Sequence, residues 1–372
     1  MRTISPASDR RSALCTGLRT APVVLLLAAG LAACGDAPSS AVPAPEEVAV
    51  PTDQFLLGGI QVNEPSMEEW LDTLVASGFN TVSLTVYARQ GHWDSAEIEE
   101  KAEADWVVPE IRAAKERGLA VVLILRVALE HAIEENRFLW HGMIMPESDE
   151  ELALWFDRYG AFVRRWAEVA RDEHVDVLGI GSELNALAST RVLDQLPPLE
   201  EYYLNPEKQE REHARTIRAA ETLPADALDG HLEAGWGDSY ERLDLFLDDR
   251  SRTHRDWALQ VTSGGDVEAY NRRKTRLSSH WHELIADVRT VYAGRLTYAA
   301  NFDQYSFVDF WDDLDLIGIH AYFPLRRDVE DRQPEELAEQ FRSSWRRILA
   351  EIDRDRLELD APRTPVIFTE LG

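Results

Sequence analysis

Cysteine is scarce in this chain: only Cys15 and Cys34 occur among 372 residues, and both lie near the N-terminus. Everything after residue 34 therefore lacks a thiol for a disulfide, a cysteine-ligated metal or a thiolate nucleophile. Other metal ligands do not cluster either. The histidines are scattered, as at His131, His141, His280 and His282. No His or Asp spacing matches a metal site, so we predict no metal and no other cofactor.

Positive charge is also in short supply. Lysine and arginine together number 39 against 67 aspartates and glutamates, which gives a formal net charge of -28. Such a surface repels nucleic acid and anionic membranes and suits a neutral or cationic substrate. The simpler interpretation, which we favour, is that acidity keeps an exported protein soluble. A Gly-rich phosphate loop is missing after the first predicted strand, which argues against nucleotide binding.

Long apolar runs are absent except in residues 21–33, a segment too short to span a bilayer comfortably. Arginines precede it, and it ends in Leu31-Ala32-Ala33-Cys34, which resembles the bacterial lipobox. We therefore predict a signal peptide at 1–33, a lipidated Cys34 and a disordered Ala/Pro/Ser/Glu-rich tether over 34–53. The protein would be an exported lipoprotein anchored to the cell envelope, facing the periplasm or the exterior. An ordinary secretory signal with a chance cysteine is the alternative.

Apolar strands alternate with amphipathic helices through the rest of the chain. The pattern predicts strands at 55–62, 81–87, 119–126, 175–182, 296–301, 314–320 and 365–370. It predicts helices at 67–77, 102–117, 150–173, 276–292, 307–312 and 334–352. Strand and helix in alternation indicate a parallel α/β fold, without separating a closed barrel from an open doubly wound sheet.

The domain at 54–372 contains one long interruption of this alternation, at about 186–270. The segment is polar and highly charged, and Glu207–Glu221 contains no Gly or Pro, which predicts a helix there. Connections of this length are usually lids or added subdomains. Only seven strands precede Gly372, whereas a barrel of parallel strands closes with eight. We interpret this sequence as one truncated at its C-terminus after strand seven.

Two of the predicted strands end in a glutamate. The fourth delivers Glu183 after Val177-Leu178-Gly179-Ile180-Gly181-Ser182, and the seventh delivers Glu370 after Val366-Ile367-Phe368-Thr369. The carboxyl ends of parallel strands meet at one edge of the sheet, so the two carboxylates are expected to face each other. A carboxylate pair is what retaining glycoside hydrolysis needs, with one acting as acid/base and the other as nucleophile.

Four segments in order resemble glycoside hydrolase family 113: Gly181-Ser182-Glu183-Leu184, Leu296–Asn301, Leu316–Pro324 and Pro365–Gly372. The resemblance covers about residues 55–372, with 186–270 poorly matched. It implies a (β/α)8 TIM barrel from a clan of retaining enzymes whose characterised family members are mainly β-mannanases. It also implies that Glu183 is the general acid/base and Glu370 the nucleophile. Many clan members place an asparagine before the acid/base, where this chain has Ser182.

Further polar residues end the other strands and are candidates for holding substrate or the two glutamates. Arg126 ends an apolar strand, where a charge needs a partner, and could hold Glu370 ionised or form a structural salt bridge. Tyr322 could hydrogen-bond Glu370, and His320 could contact sugar hydroxyls or stabilise the site; packing alone is the alternative for both. Asn301 and Tyr87 end the fifth and second strands, and each could equally serve packing alone.

Aromatic side chains in loops are candidate platforms for sugar rings. We favour Trp236 in its Gly235-Trp236-Gly237 setting; the others are Trp93, Trp140 and Trp311. The leading interpretation is a monomeric retaining hydrolase of a β-linked polysaccharide or oligosaccharide, with β-mannan the first choice. The alternatives are a hydrolase of another β-glycan in the same clan, or a catalytically silent glycan-binding lipoprotein.

Overall fold

The computed structural model describes five segments of the chain, residues 55–61, 66–100, 104–222, 242–325 and 333–372. The predicted signal peptide, Cys34, the tether and Trp236 all lie outside these segments. Within them, no helix has both the length and the apolar character that a membrane crossing requires.

Within the described segments, seven parallel strands form the centre of the fold. They are β1 Gly58–Ile60, β2 Thr81–Gln90, β3 Ala120–Leu129, β4 Val177–Ser182, β5 Arg295–Asn301, β6 Ile317–Ala321 and β7 Val366–Leu371. Each pairs with the next in chain order, and a short antiparallel strand, Glu99–Glu100, pairs with β2. The sheet curves into a nearly closed barrel. All seven carboxyl ends therefore lie at the same mouth.

The described residues form nine α-helices around the strands. They are α1 Met67–Ala76, α2 Ala104–Glu116, α3 Asp149–Asp172, α4 Asn185–Ala188, α5 Pro198–Leu204, α6 Pro206–Ala220, α7 Leu243–Val261, α8 Val267–Arg289 and α9 Pro334–Glu358. Helix α3 illustrates how the sequence sets an end. The hydroxyl of Ser148 accepts from the backbone N–H of Glu151, and the Glu151 carboxylate accepts from the Ser148 backbone in return.

Alternate residues of β3 face opposite layers. Val121 and Leu123 belong to the main core that the strands share with the helices. Val122 and Ile124 belong to a smaller cluster made only of strand and strand-end residues, which is the barrel interior. Side chains of a strand alternate with a period of two, so Arg126 continues the interior series at the carboxyl end. The fold thus aims a guanidinium into the barrel mouth.

Two helix predictions need correction. The predicted helix over 307–312 is wrong, because the chain forms two single 3₁₀ turns there, at Tyr305–Phe307 and Trp311–Asp313. Helix α8 begins at Val267 rather than at 276, because the Asp266 carboxylate caps the backbone N–H groups of the first turn. Much of the long polar interruption is helical, as expected, and forms α4 to α7.

Candidate active site

Glu183 stands directly after β4 and has a left-handed backbone, with φ of +52°. Its N–H donates to the carbonyl of Ala299 on β5, and the next N–H, of Leu184, donates to the phenol of Tyr298. A non-glycine residue rarely adopts this conformation, which persists only where its surroundings hold it. Here two hydrogen bonds that the turn donates to β5 fix the backbone that presents the Glu183 side chain to the barrel mouth.

Glu370 reaches the same mouth from β7. The register of β6 and β7 passes from Ile319 opposite Phe368 to His320 opposite Glu370, so Thr369 is an extra residue on β7. An extra residue of this kind bends a strand and redirects the side chains beyond it. The carboxylates of Glu183 and Glu370 are both mostly buried, at 14% and 17% exposure.

Arg126 lies between the two glutamates. Its Nη2 donates to Oε1 of Glu370 at 2.7 Å and lies 3.6 Å from Oε2 of Glu183. Those two carboxylate oxygens are therefore separated by at most the sum of these distances, about 6.3 Å. The structure thus brings together the three charged residues that the sequence placed at strand ends.

The phenol of Tyr322, just after β6, donates to the other oxygen of Glu370, Oε2, at 2.6 Å. Both oxygens of Glu370 thus have a donor, which fixes the plane of the carboxylate and stabilises its negative charge. Burial raises the pKa of Tyr322 above its usual range, and the hydrogen bond to Glu370 adds to the effect. The phenol therefore stays protonated and able to donate.

His320 is buried beneath this pair and holds it in place. Its Nε2 lies 3.2 Å from Nη2 of Arg126 and 2.9 Å from Oγ of Ser182. Because a guanidinium only donates, Nε2 must accept, and Nδ1 carries the proton that is donated to Oγ1 of Thr369 at 3.1 Å. Burial lowers the pKa of His320, and the nearby Arg126 charge acts in the same direction, against the two glutamates. The ring is thus neutral.

Ser182 takes a position between these groups. Its Oγ accepts from Nε and Nη2 of Arg126, at 3.0 and 2.9 Å, and its own proton can be donated to His320. A single hydroxyl therefore orients both the guanidinium and the imidazole. This is the contribution of the serine that stands where many clan members have asparagine.

His141 contacts the other glutamate. It lies in the loop that joins β3 to α3, residues 130–148, here called the β3–α3 loop. Its Nε2 lies 2.9 Å from Oε2 of Glu183. Burial alone would raise the pKa of Glu183, but the hydrogen bond from His141 and the positive charge of Arg126 outweigh it, so the pKa is lowered. Glu183 is therefore ionised near neutral pH.

The remaining predicted site residues contribute less directly. Asn301 is half-buried and its Nδ2 donates to Oδ1 of Asn185 at 3.1 Å, at the start of the short helix α4 that follows Glu183. Tyr87 lies opposite Arg126 in the register of β2 and β3. Neither hydrogen-bonds a carboxylate of the pair.

Two of the candidate sugar platforms are wrong. Trp311 is fully buried and Trp93 is 7% exposed, so neither offers a ring face to a ligand. Both instead belong to the hydrophobic core. Trp140 is half-buried, and its ring meets that of His141 edge-on at 5.0 Å, which places it near Glu183. In the described part of the chain, no group of three or more His, Cys, Asp or Glu side chains could hold a metal ion.

A family model described as Glycoside Hydrolase Family 113 matches residues 59–192 and 264–372. The match covers more than half of the chain and includes both Glu183 and Glu370. The chain belongs to glycoside hydrolase family 113. Family membership and the order of the parallel strands confirm the expected fold of the (β/α)8-barrel class.

Solved structures of family 113 are similar to the chain. The β-mannanase from Alicyclobacillus acidocaldarius in complex with ManMIm is 18% identical, with a TM-score of 0.47. The chain is aligned over 82% of its own length and spans 64% of that structure. A complex of a family 113 β-1,4-mannanase is also 18% identical, with 82% and 65% of the two chains covered and a TM-score of 0.44. A comparison with curated protein sequences finds no match.

Sequence reasoning missed three members of this family 113 site: His141, Ser182 as a hydrogen-bonding centre, and Thr369. The signal for His141 was its place in a loop after a barrel strand, where site residues collect. As a metal ligand His141 was not a candidate, because the histidines are scattered along the chain. Ser182 and Thr369 each immediately precede a glutamate, and only the packed arrangement shows their partner to be His320.

Proposed function

We propose that this family 113 chain is a retaining glycoside hydrolase that cleaves β-linked mannan or manno-oligosaccharides, with Glu183 as acid/base and Glu370 as nucleophile. The observation that carries the proposal is that Nη2 of Arg126 contacts both carboxylates. The two carboxylate oxygens that it contacts are therefore at most about 6.3 Å apart. Retaining enzymes hold their carboxyl groups roughly 5–5.5 Å apart, whereas inverting enzymes leave roughly 6.5–9.5 Å for a water molecule.

In the first step, Glu370 attacks the anomeric carbon while Glu183 gives a proton to the departing oxygen. The glycosyl–oxygen bond breaks and a glycosyl ester to Glu370 forms through an oxocarbenium-like transition state. Arg126 and Tyr322 support the step because they fix the attacking carboxylate. Since the lowered pKa favours the ionised form of Glu183, only its protonated fraction can act as the acid.

In the second step, Glu183 takes a proton from water and the water oxygen attacks the anomeric carbon. Glu370 leaves as a carboxylate, and two inversions together retain the β configuration. This step needs Glu183 ionised, which is the form that His141 and Arg126 favour. Arg126 and Tyr322 stabilise the charge that returns to Glu370.

The choice of β-mannan rests on the family and on its solved members, which are β-mannanases. To distinguish β-mannan from another β-glycan as the substrate, hydrolysis rates are measured on β-1,4-linked manno- and gluco-oligosaccharides of equal length. A higher kcat/KM on the manno series supports the proposal. A preference for the gluco series would assign another β-glycan, and binding without hydrolysis of either would identify a silent glycan-binding protein.

Two alanine variants test the roles of the carboxylates. Glu370→Ala should abolish hydrolysis, and azide should restore turnover to an α-glycosyl azide, since the anion attacks from the vacated face. Glu183→Ala should slow hydrolysis of natural glycans by about 10²- to 10⁴-fold, spare the first step for aryl glycosides with good leaving groups, and give a β-glycosyl azide. Glu283→Ala, on the exposed face of α8, is the matched control. Wild-type product of inverted configuration would contradict the assignment.

We also propose that the chain is anchored to the cell envelope through Cys34, on the resemblance of Leu31–Cys34 to a lipobox. Radiolabelled palmitate should be incorporated into the protein in a bacterial host. Cys34→Ser should move it from the membrane fraction to the soluble one. Unlabelled, soluble wild-type protein would contradict the anchor without bearing on the hydrolase.

A further inference from the structure

Helix α7 hydrogen-bonds to the β3–α3 loop on both sides of His141. The Nε2 of His254 lies 2.8 Å from the carbonyl oxygen of Phe138, and the Nε1 of Trp257 donates to the carbonyl oxygen of Met143 at 2.8 Å. The two anchoring carbonyls lie three residues before and two residues after His141. The helix therefore fixes the main chain that presents this imidazole to Glu183.

The side chains of His254 and Trp257 are themselves held in place by burial and packing. Trp257 is 2% exposed. His254 packs against the ring of Tyr203 on α5, with ring centroids 4.2 Å apart. Burial lowers the pKa of His254 to about 4, so its ring is neutral near neutral pH. Because a carbonyl oxygen only accepts, Nε2 carries the proton and donates to Phe138.

Further contacts join α7 to the same loop. Phe246 meets the Phe138 ring edge-on at 5.2 Å, and Asp249 pairs with Arg137 at 2.8 Å. Phe138 has a φ of +67°, a conformation that is unfavourable for a bulky side chain. The loop therefore does not hold its shape by local preference alone, and contacts from outside it stabilise this conformation.

Helix α7 lies between the two segments that match the family model. The matches end at residue 192 and resume at 264, so α7 falls entirely within the unmatched part of the chain. His141 and Glu183 lie within the first matched segment. The unmatched segment of this chain thus supports a contact that belongs to the matched barrel.

We propose that α7 is a positioning element for the acid/base, in which His254 and Trp257 hold His141 within hydrogen-bonding distance of Glu183. The inference rests on the proposed function of Glu183 and gives the long polar interruption a role in catalysis. His254 and Trp257 touch neither glutamate. They are positioning residues, and they act on Glu183 only through the loop that carries His141.

Several other groups influence the ionisation of Glu183, and a test must separate them from His141. Arg126 on β3 favours the ionised form, while His320 on β6, Tyr322, Tyr298 and Asp303 also interact with Glu183 electrostatically. None of these belongs to α7 or to the β3–α3 loop. A change at α7 should therefore act on Glu183 through His141 and leave the other contacts in place.

The kinetic test compares Trp257→Phe and His254→Phe, which each remove one donor to the loop, with Trp311→Phe. Trp311 makes an equivalent buried hydrogen bond, from Nε1 to the carbonyl of Tyr305 at 2.9 Å. The α7 variants should lower kcat/KM on manno-oligosaccharides by about 10-fold, the effect of one ordinary hydrogen bond. The descending limb of the pH profile should move to higher pH. His254→Gln, which keeps an N–H donor, should retain the wild-type kcat/KM and the wild-type descending limb. Trp311→Phe should leave the descending limb in place.

The leaving group provides a second kinetic readout. A positioning defect at the acid should disappear for the first step on an aryl glycoside whose leaving group needs no proton. The α7 variants should therefore match wild type in a pre-steady-state burst on such a substrate. An equal loss on both substrates, or pH limbs identical to those of wild type, would overturn the proposal.

Nuclear magnetic resonance provides a readout that does not depend on hydrolysis. The imidazole signal of His141, assigned by its absence in His141→Phe, should change its chemical shift in Trp257→Phe and in His254→Phe but not in Trp311→Phe. An unchanged His141 signal in folded α7 variants would refute the positioning role. If the signal responds but wild-type protein hydrolyses no β-glycan, the positioning stands and the proposed function fails.

Discussion

Tyr322 donates a 2.6 Å hydrogen bond to Oε2 of Glu370, on the side of the carboxylate that Arg126 does not reach. The tyrosine is also 46% exposed, so it lies at the entrance of the site and not in the core. The same phenol can therefore orient the proposed nucleophile and remain within reach of a bound sugar.

Tyr322→Phe should lower kcat by about 10-fold or more and leave KM within a few-fold, because one donor that stabilises the returning charge of Glu370 is lost. Thermal unfolding should change little, since the ring is retained and the hydroxyl is near solvent. Steady-state kinetics on a manno-oligosaccharide would measure the effect. A raised KM with an unchanged kcat would show that the phenol binds ground-state substrate instead.

His141→Phe should move the descending limb of kcat/KM to higher pH. The acid step needs protonated Glu183, so kcat/KM falls as pH rises through the pKa of that residue. His141 lowers this pKa by its hydrogen bond, and its removal therefore raises the pKa and extends activity to higher pH. His282→Phe, which changes an exposed histidine paired with Asp313, is the control. A limb that stays in place or moves to lower pH would contradict the role of His141.

Glu200→Gln should make stability less sensitive to pH. Burial raises the pKa of Glu200 to about 7, only partly offset by the hydrogen bond from Tyr270 and by Lys274. Between its ordinary pKa and about 7 the folded state binds more protons than the unfolded state, so stability falls as pH rises. Glutamine stays neutral and keeps an acceptor for Tyr270. The unfolding temperature should drop less between pH 5 and pH 8 in the variant than in wild type.

The exposed neighbour Glu201 is the matched control for this measurement, since it lies on the same helix and pairs with Lys208 at the surface. Glu201→Gln should retain the pH dependence of wild type. Glu110, whose pKa burial also raises to about 7, contributes in the same direction in every variant. Parallel curves for Glu200→Gln and wild type would show that Glu200 is ionised in the folded protein.

Glycines at two positions should respond to alanine in opposite directions. At Gly318 in β6 an added Cβ would lie 2.4 Å from the Tyr298 carbonyl oxygen, so Gly318→Ala must shift a neighbouring strand. We expect it to lower the free energy of unfolding by about 1–3 kcal/mol. At Gly160 in α3 nothing lies within 4 Å, and Gly160→Ala should raise it by about 0.5–1 kcal/mol. Denaturant unfolding of both variants would check the two signs.

Most of the strands were predictable because they are largely buried and read as short apolar runs. Arg126 was predictable for a related reason, since a charge that ends such a run needs partners, and it lies against both glutamates. Periodicity also placed most helices. It was wrong over 307–312, where the chain forms two 3₁₀ turns, Tyr305–Phe307 and Trp311–Asp313, instead of one continuous helix.

What sequence could not supply was the partner of each loop residue. His141 belongs to a loop, and nothing near it in sequence indicates that Glu183 is its contact 42 positions later. The same holds for Trp311 and Trp93, which read as loop aromatics but are buried by elements distant in sequence. Contacts between loops depend on how whole elements pack, and a local pattern carries no record of that packing.

The left-handed backbone of Glu183 predicts which residues would replace it in designed or evolved variants. Only glycine, and to a lesser degree asparagine or aspartate, adopts a φ of +52° at little cost. A sequence chosen for stability alone would therefore not place a buried glutamate there. Selection that relaxes the demand for catalysis should replace Glu183 with one of those residues and gain stability. Under the proposed acid/base role, the glutamate at position 183 lowers stability in exchange for catalysis.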